Sequence, residues 1–289
     1  MNSVIKNLPV VLRSARLWLW LPILANVGIL TFLLTHSFQK GFVLGISLSC
    51  VASYGFLIND IWDLQVDGAN RAGKLESASK SALILAMFFS ALFLSVGLIA
   101  SGKLGLHTFV AMFIIAAGLT AYTFWVRPLF FYANLLAALL ASAPIWLPNV
   151  VFIQQPNLAQ SIIIAVAITI LLGREIIFDI ADAFGDAKAK RRTLPVLFGR
   201  QIATRIAVVW QLSACVLLVV FCATTAWDMP IDRLLLMCGT VTAFALLVIP
   251  INLKMLHVSH DAKLINLFTF RTRLAMLLLP LVMLALLNK

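Results

Sequence analysis

Two aspartate triplets with the same spacing are the residues of this sequence best suited to chemistry. In each triplet the aspartates stand at positions i, i+3 and i+7, which on a continuous helix stacks three carboxylates on one face. Each member of the second triplet follows its counterpart by 119 residues. The triplets are Asp60, Asp63 and Asp67, and Asp179, Asp182 and Asp186.

Stacked carboxylates repel one another, and a divalent cation relieves that repulsion. Hard cations such as Mg²⁺ prefer carboxylate oxygens and usually keep part of their coordination shell for water or substrate phosphate. Two facing clusters could hold roughly two or three ions around one diphosphate and neutralise it as its charge develops. We therefore predict that all six aspartates are catalytic metal ligands.

Basic residues follow each triplet, and they are natural partners for phosphate oxygens. Arg71 and Lys74 follow the first triplet, and Lys188 follows the second. We predict that these three side chains contact the ligand. The next basic residues are predicted to be mostly membrane-surface charge: Lys190, Arg191 and Arg192.

The composition places the chain in a membrane. Of its 289 residues, 62% are hydrophobic and 11% are charged, whereas soluble domains have about 45–50% apolar and about 25% charged residues. The 22 basic residues outnumber the 11 acidic ones, which in a chain this apolar indicates cytoplasmic loops near anionic headgroups. The lipid bilayer, and not nucleic acid, is therefore the expected partner.

The apolar residues fall into nine blocks long enough to cross a bilayer, which predicts an all-α, multi-pass integral membrane protein. The first block lacks an evident cleavage site and is predicted to be a retained span. The blocks lie near residues 17–36, 42–61, 81–100, 105–125, 133–153, 161–180, 206–226, 234–252 and 273–287.

The basic residues also predict the orientation. With the N-terminus in the cytoplasm, 18 of the 22 lie on the cytoplasmic side, as the positive-inside rule requires. Four spans, an even number, separate the triplets, so both triplets lie at the cytoplasmic side. In a bacterium this side would be the inner face of the plasma membrane. The equal spacing indicates a weak internal repeat relating residues 55–74 and 174–193 within one domain, 1–289.

Three segments resemble the UbiA superfamily of intramembrane prenyltransferases. Residues 59–67, Asn-Asp-x-x-Asp-x-x-x-Asp, resemble its first motif, and residues 174–186 with Thr-Leu-Pro at 193–195 resemble its second. Residues 122–134, which begin Tyr-x₄-Arg and end in Asn, resemble a third family segment. That segment is most similar to the branch making archaeal-type glycerol ethers and its bacterial relatives.

The resemblance implies nine helices around a central cavity, with the motifs under a cytoplasmic cap. An isoprenyl diphosphate would bind there through Mg²⁺, with its tail in an apolar tunnel, and would ionise to an allylic cation that alkylates a lipophilic acceptor. The residues carried over beside the diphosphate are Asn59, Tyr122, Arg127 and Arg174, with Asn134 nearby.

The sequence departs from the family pattern at three positions without losing a predicted metal ligand. No proline follows Arg71, position 127 is Arg where Lys is frequent, and Lys190 stands where Gly is common.

Two other functions stay open. A terpene cyclase of the same fold would ionise the same diphosphate and quench the cation internally, and the motifs do not separate it from a transferase. An ion-coupled transporter is less favoured, because carrier sites lie near the membrane midplane, often between inverted repeats. The sequence leaves the acceptor, the prenyl chain length and the oligomeric state open.

Overall fold

A computed structural model describes residues 2–62, 80–152, 157–226, 229–257 and 261–287, and within these ranges it contains helices and no strand. A 3₁₀ turn at Leu17–Leu19 joins the first two helices, and a π-helical turn at Tyr122–Val126 follows the fifth. The described α-helices are α1 Asn2–Ser14, α2 Trp20–Thr35, α3 Phe38–Trp62, α4 Lys80–Gly102, α5 Leu106–Ala121, α6 Phe130–Ala141, α7 Ala143–Phe152, α8 Leu158–Lys188, α9 Leu194–Phe198, α10 Arg200–Thr225, α11 Ile231–His257 and α12 Ala262–Leu287.

Eight described segments are long and apolar enough to cross a membrane. A ninth span results when α6 and α7, which are bent by 62° at their junction, are taken together. Pro144 follows this junction, and a proline there removes a backbone donor and favours the start of a new helix. The predicted all-α class is confirmed for the described ranges, and the predicted nine spans agree with the eight to nine found there.

The spans extend farther than hydropathy alone predicts. The predicted span 161–180 is part of α8, and the last helix begins at Ala262 and not near 273. A span predicted from hydropathy ends where charged residues begin. The helix itself continues past them, because its backbone hydrogen bonds remain intact and the charges face other protein groups. As a result, Arg16 and Arg273, predicted to lie at or outside the span boundaries, fall inside the spans 7–35 and 262–286.

Large apolar side chains point away from the bundle along the whole length of the spans. Ile84, Phe113 and Leu246, on three different helices, are 67%, 56% and 64% exposed. Exposure of this extent is costly in water and is the ordinary state of a surface in contact with lipid. The outer surface therefore agrees with the membrane location.

The helix α8 packs closely against α10 at Gly173. A Cβ atom at Gly173 would lie 2.6 Å from the carbonyl oxygen of Ala207 and 2.6 Å from Cγ of Gln211. The Gln211 amide donates to the Ile170 carbonyl at 3.0 Å and accepts from Asn252 Nδ2 at 2.8 Å. This contact fixes α8, which carries the second triplet, against α10 and α11.

We expect Gly173→Ala to lower the stability of the folded protein by about 1–3 kcal/mol, because the added methyl group overpacks a contact with backbone atoms. Gly239→Ala is the matched control, since nothing lies within 4 Å of a Cβ there and alanine is the better helix former. Thermal unfolding of both variants in detergent checks this. Equal unfolding midpoints for the two variants would contradict the close approach.

Candidate active site at the two aspartate motifs

The second triplet lies on one face of α8, as its spacing predicted, and Glu175 extends that face. The four acids stand at i, i+4, i+7 and i+11, and about 16 Å of helix separates the first from the last. Three are half-buried and Asp186 is buried. We call this set the carboxylate stripe, and its members are Glu175, Asp179, Asp182 and Asp186.

Asp179 is held by an amide from another helix. Asn134, buried on α6, donates from Nδ2 to Asp179 Oδ2 at 2.8 Å. A carboxylate fixed through one oxygen has a defined rotamer, so its second oxygen points in a fixed direction. The contact therefore gives Asn134 a positioning role toward Asp179.

The chain reverses after α8 and returns a basic residue to Asp186. Lys190 adopts a left-handed backbone, with φ of 55°, which explains why glycine is common at this position in the family that the sequence resembles. Arg191 then donates from its backbone to the Asp186 carbonyl at 2.9 Å and from Nη1 to Oδ1 at 3.3 Å. Lys188, one of the three basic residues predicted to contact the ligand, is exposed, with its ammonium 4.4 Å from the Phe184 ring centre.

The π-helical turn places Arg127 between the two motif regions. The Arg127 backbone donates to the Tyr122 carbonyl at 3.0 Å. This bond closes the π-helical turn and places the two residues of the Tyr-x₄-Arg segment on the same side of it. Arg127 Nη1 donates to Asn59 Oδ1 at 2.9 Å, and the guanidinium is within electrostatic range of the three aspartates of the stripe. Burial, reinforced by nearby Arg191, lowers the pKa of Arg127 to about 10, so it stays cationic at neutral pH.

Asn59 and Asp60 face different neighbours. Asn59 accepts a hydrogen bond from Arg127. Asp60 is 3% exposed, and its Oδ1 lies 3.6 Å from Arg16 Nη2. Its Oδ2 is buried without a hydrogen-bond partner among the described residues. An oxygen in that state is a candidate ligand for a cation, since a buried unpaired carboxylate oxygen is costly.

Arg16 is a site residue that sequence reasoning missed. It lies at the break between α1 and the 3₁₀ turn, with φ of 52°, and its guanidinium carbon is 4.3 Å from the Phe56 ring centre. Ser53 fixes the break by donating to the Ala15 carbonyl and accepting from Trp20 Nε1, both at 2.9 Å. In the sequence, Arg16 is simply a basic residue before an apolar block. The positive-inside rule already accounts for a basic residue at such a position.

Two further predicted residues lie beside the stripe. Tyr122 is half-buried within electrostatic range of Glu175 and Asp179. Arg174 forms an ion pair with Glu175, and both side chains are 15% exposed. Four predicted site residues lie outside the described part of the chain: Asp63, Asp67, Arg71 and Lys74.

The donor set suits Mg²⁺ by its chemistry. The described residues contain no group of three His, Cys, Asp or Glu side chains close enough to hold an ion by themselves. Mg²⁺ usually binds one or two carboxylates and completes its octahedron with water and substrate phosphate. The hard oxygens of the stripe and the unpaired Oδ2 of Asp60 fit this role.

The sequence from residue 19 to 274 matches the UbiA prenyltransferase family. The chain belongs to that family. Its predicted membership and its class, a prenyltransferase enzyme, are therefore confirmed, and the match covers seven of the nine described spans completely and parts of the first and the last.

One curated relative is a digeranylgeranylglyceryl phosphate synthase from Methanosphaera stadtmanae, 26% identical over 65% of this chain and 69% of its own length. The chain spans between 57 and 69% of the length of the first curated relatives that it matches.

Solved structures of similar proteins share the fold. A UbiA homologue from Aeropyrum pernix K1 has a TM-score of 0.72 at 15% identity and covers 92% of this chain and 96% of its own. A UbiA homologue from Archaeoglobus fulgidus bound to GPP and Mg²⁺ has a TM-score of 0.66 at 17% identity, covering 95% of this chain and 99% of its own.

Proposed function

We propose that this protein is a Mg²⁺-dependent prenyltransferase that moves an isoprenyl group from an isoprenyl diphosphate to a lipophilic acceptor. The observation that carries the proposal is the position of Arg127, which donates to Asn59 in the first motif region and is in electrostatic range of the stripe in the second. A cation between two acid-bearing regions is suited to one shared anionic ligand. The solved homologue bound to GPP and Mg²⁺ supports the same donor class and metal.

Each side chain has a stated task in this proposal. The six predicted aspartates would hold Mg²⁺, with Asp179 oriented by Asn134. A bound Mg²⁺ would neutralise charge on the diphosphate as it leaves. Arg127 and Arg191, at the same end of the stripe as Asp186, would donate to the remaining phosphate oxygens.

The reaction would begin when the bond between the allylic carbon and the diphosphate oxygen breaks, with the electron pair leaving on the diphosphate. The acceptor nucleophile then forms a bond to that carbon and releases its proton. The cationic guanidinium groups lower the barrier because they face the oxygens on which negative charge increases.

The names of the curated relatives support one class of acceptor. These relatives are named as digeranylgeranylglyceryl phosphate synthases, so we infer a lipid with a glyceryl phosphate group as the first acceptor to try. The excess of basic residues on the motif side supports an active site at the cytoplasmic face with the N-terminus in the cytoplasm.

Purified protein, given a labelled isoprenyl diphosphate and a panel of acceptors, should form a prenylated acceptor with Mg²⁺ and none in EDTA, because the acids need the cation to bind the diphosphate. Mass analysis of the products checks this expectation. A cyclic hydrocarbon or alcohol formed without acceptor would instead establish the cyclase. Ion uptake into proteoliposomes without diphosphate turnover would establish the transporter.

A further inference from the structure

Three arginines from three separate segments meet at the end of the stripe farthest from Asp186. Arg273 is within electrostatic range of the other two arginines and of Glu175. Arg273 lies eleven residues into α12, about 16 Å along its axis, and a charge at such depth is costly and marks a functional group by default. We call Arg16, Arg174 and Arg273 the deep arginine cluster.

Each guanidinium of the cluster lies over an aromatic ring. Stacking of this kind covers the flat face of the cation and leaves the N–H donors in its plane free to bind an anion. The pairs are Arg16 on Phe56 at 4.3 Å, Arg273 on Trp18 at 4.1 Å and Arg174 on Phe178 at 5.5 Å.

The described carboxylates do not use all of these donors. Arg16 has Asp60 and Arg174 has Glu175 as an ion partner. Within the described ranges, no carboxylate lies within ion-pair distance of Arg273, and its buried Nε has no hydrogen-bond partner. The cluster therefore has one more positive charge than it has acids, together with a buried donor that lacks an acceptor.

The donor diphosphate is not the anion that this cluster fits best. Arg127 and Arg191 already lie near Asp186. About 18 Å of helix separates Asp186 from Arg174, so a diphosphate held by Arg127 and Arg191 does not also reach Arg174, even though Arg16 lies beside Asp60. Two basic groups at the two ends of one stripe indicate two anionic ligands.

We propose that Arg273, together with Arg174 and Arg16, binds the anionic oxyacid group, a phosphate or a carboxylate, of the acceptor. This inference rests on the proposed function, since it assigns the second substrate's binding group. Binding there would anchor the acceptor beside the stripe and select anionic acceptors over neutral ones.

The test measures binding of three probes with equal chains to the full-length protein in nanodiscs of zwitterionic lipid: hexadecyl phosphate, hexadecanoate and hexadecanol. We expect at least one anionic probe to bind about tenfold or more tighter than the alcohol. Arg273→Gln should abolish that difference. Arg271→Gln, two residues earlier and about 200° around the same helix, should keep it.

Arg174→Gln is the second variant, in case Arg273→Gln does not fold, and it should reduce the same difference. The stronger anionic probe identifies the oxyacid as phosphate or carboxylate. Equal binding of all three probes to the wild type, or an unchanged preference in Arg273→Gln, would overturn the inference. If the protein transfers prenyl groups but shows no preference for anionic probes, the proposed function stands and this inference fails. If it prefers anionic probes but transfers no prenyl group, the anion site stands and the proposed function fails.

Discussion

Asp179→Asn should lower kcat for prenyl transfer by about 100- to 1,000-fold, the effect of removing one group that stabilises transition-state charge. Asp179 lies at the middle of the stripe, where Asn134 fixes one of its oxygens. Asparagine has the same shape and keeps an oxygen for Asn134, so the change removes the negative charge with little effect on packing. A metal ligand should not tolerate that loss.

The measurement is the initial rate of prenylated product at saturating donor over a Mg²⁺ titration. Asp232→Asn is the matched control, because Asp232 is exposed in the first turn of α11, at the end of the bundle opposite Asp186. We expect the control to match the wild type. Full activity of Asp179→Asn at ordinary Mg²⁺ concentrations would remove Asp179 from the metal site.

Arg127→Gln should lower kcat/KM for the isoprenyl diphosphate by about 100-fold, as expected when a charge-assisted contact is lost and a buried acceptor is left unpaired. Arg127 donates to Asn59 Oδ1 at 2.9 Å while facing the stripe. Arg127→Lys should recover part of the rate, since it restores the charge but not the planar fork.

Steady-state kinetics of both variants, with Arg205→Gln on the exposed face of α10 as control, check this. The pH profile adds a second readout. With a pKa of about 10, Arg127 is protonated below that pH, so the activity it supports is lost only as the pH rises through about 10. Arg127→Lys equal to the wild type would show that charge alone is sufficient at this position.

Sequence periodicity predicted the parts of the site that lie on one helix. The i, i+3, i+7 spacing correctly placed three aspartates on one face of α8, because helical geometry alone decides which residues share a face. The Tyr-x₄-Arg spacing does not match an α-helical turn, and the structure explains it by a π-helical turn closed by the bond from Arg127 to Tyr122.

The contacts between helices could not be predicted in this way. Asn134 and Asp179, or Arg16 and Asp60, are far apart in sequence and come together only through helix packing. The same limit applies to Arg191, whose return to Asp186 depends on the left-handed backbone at position 190. From the sequence, Arg16 and Arg191 are interpreted only as basic residues that mark the cytoplasmic side. A count of charges does not record the direction in which a side chain points.

The central claim is that the two motif regions form one Mg²⁺-dependent site for a diphosphate. The most direct test is equilibrium binding of an isoprenyl diphosphate analogue that cannot ionise. We predict binding with Mg²⁺ and none in EDTA, and a loss of about tenfold or more in affinity for Asn59→Ala and for Asp179→Asn alike. Tight binding in EDTA, or a variant in either motif region that binds as the wild type does, would contradict the claim.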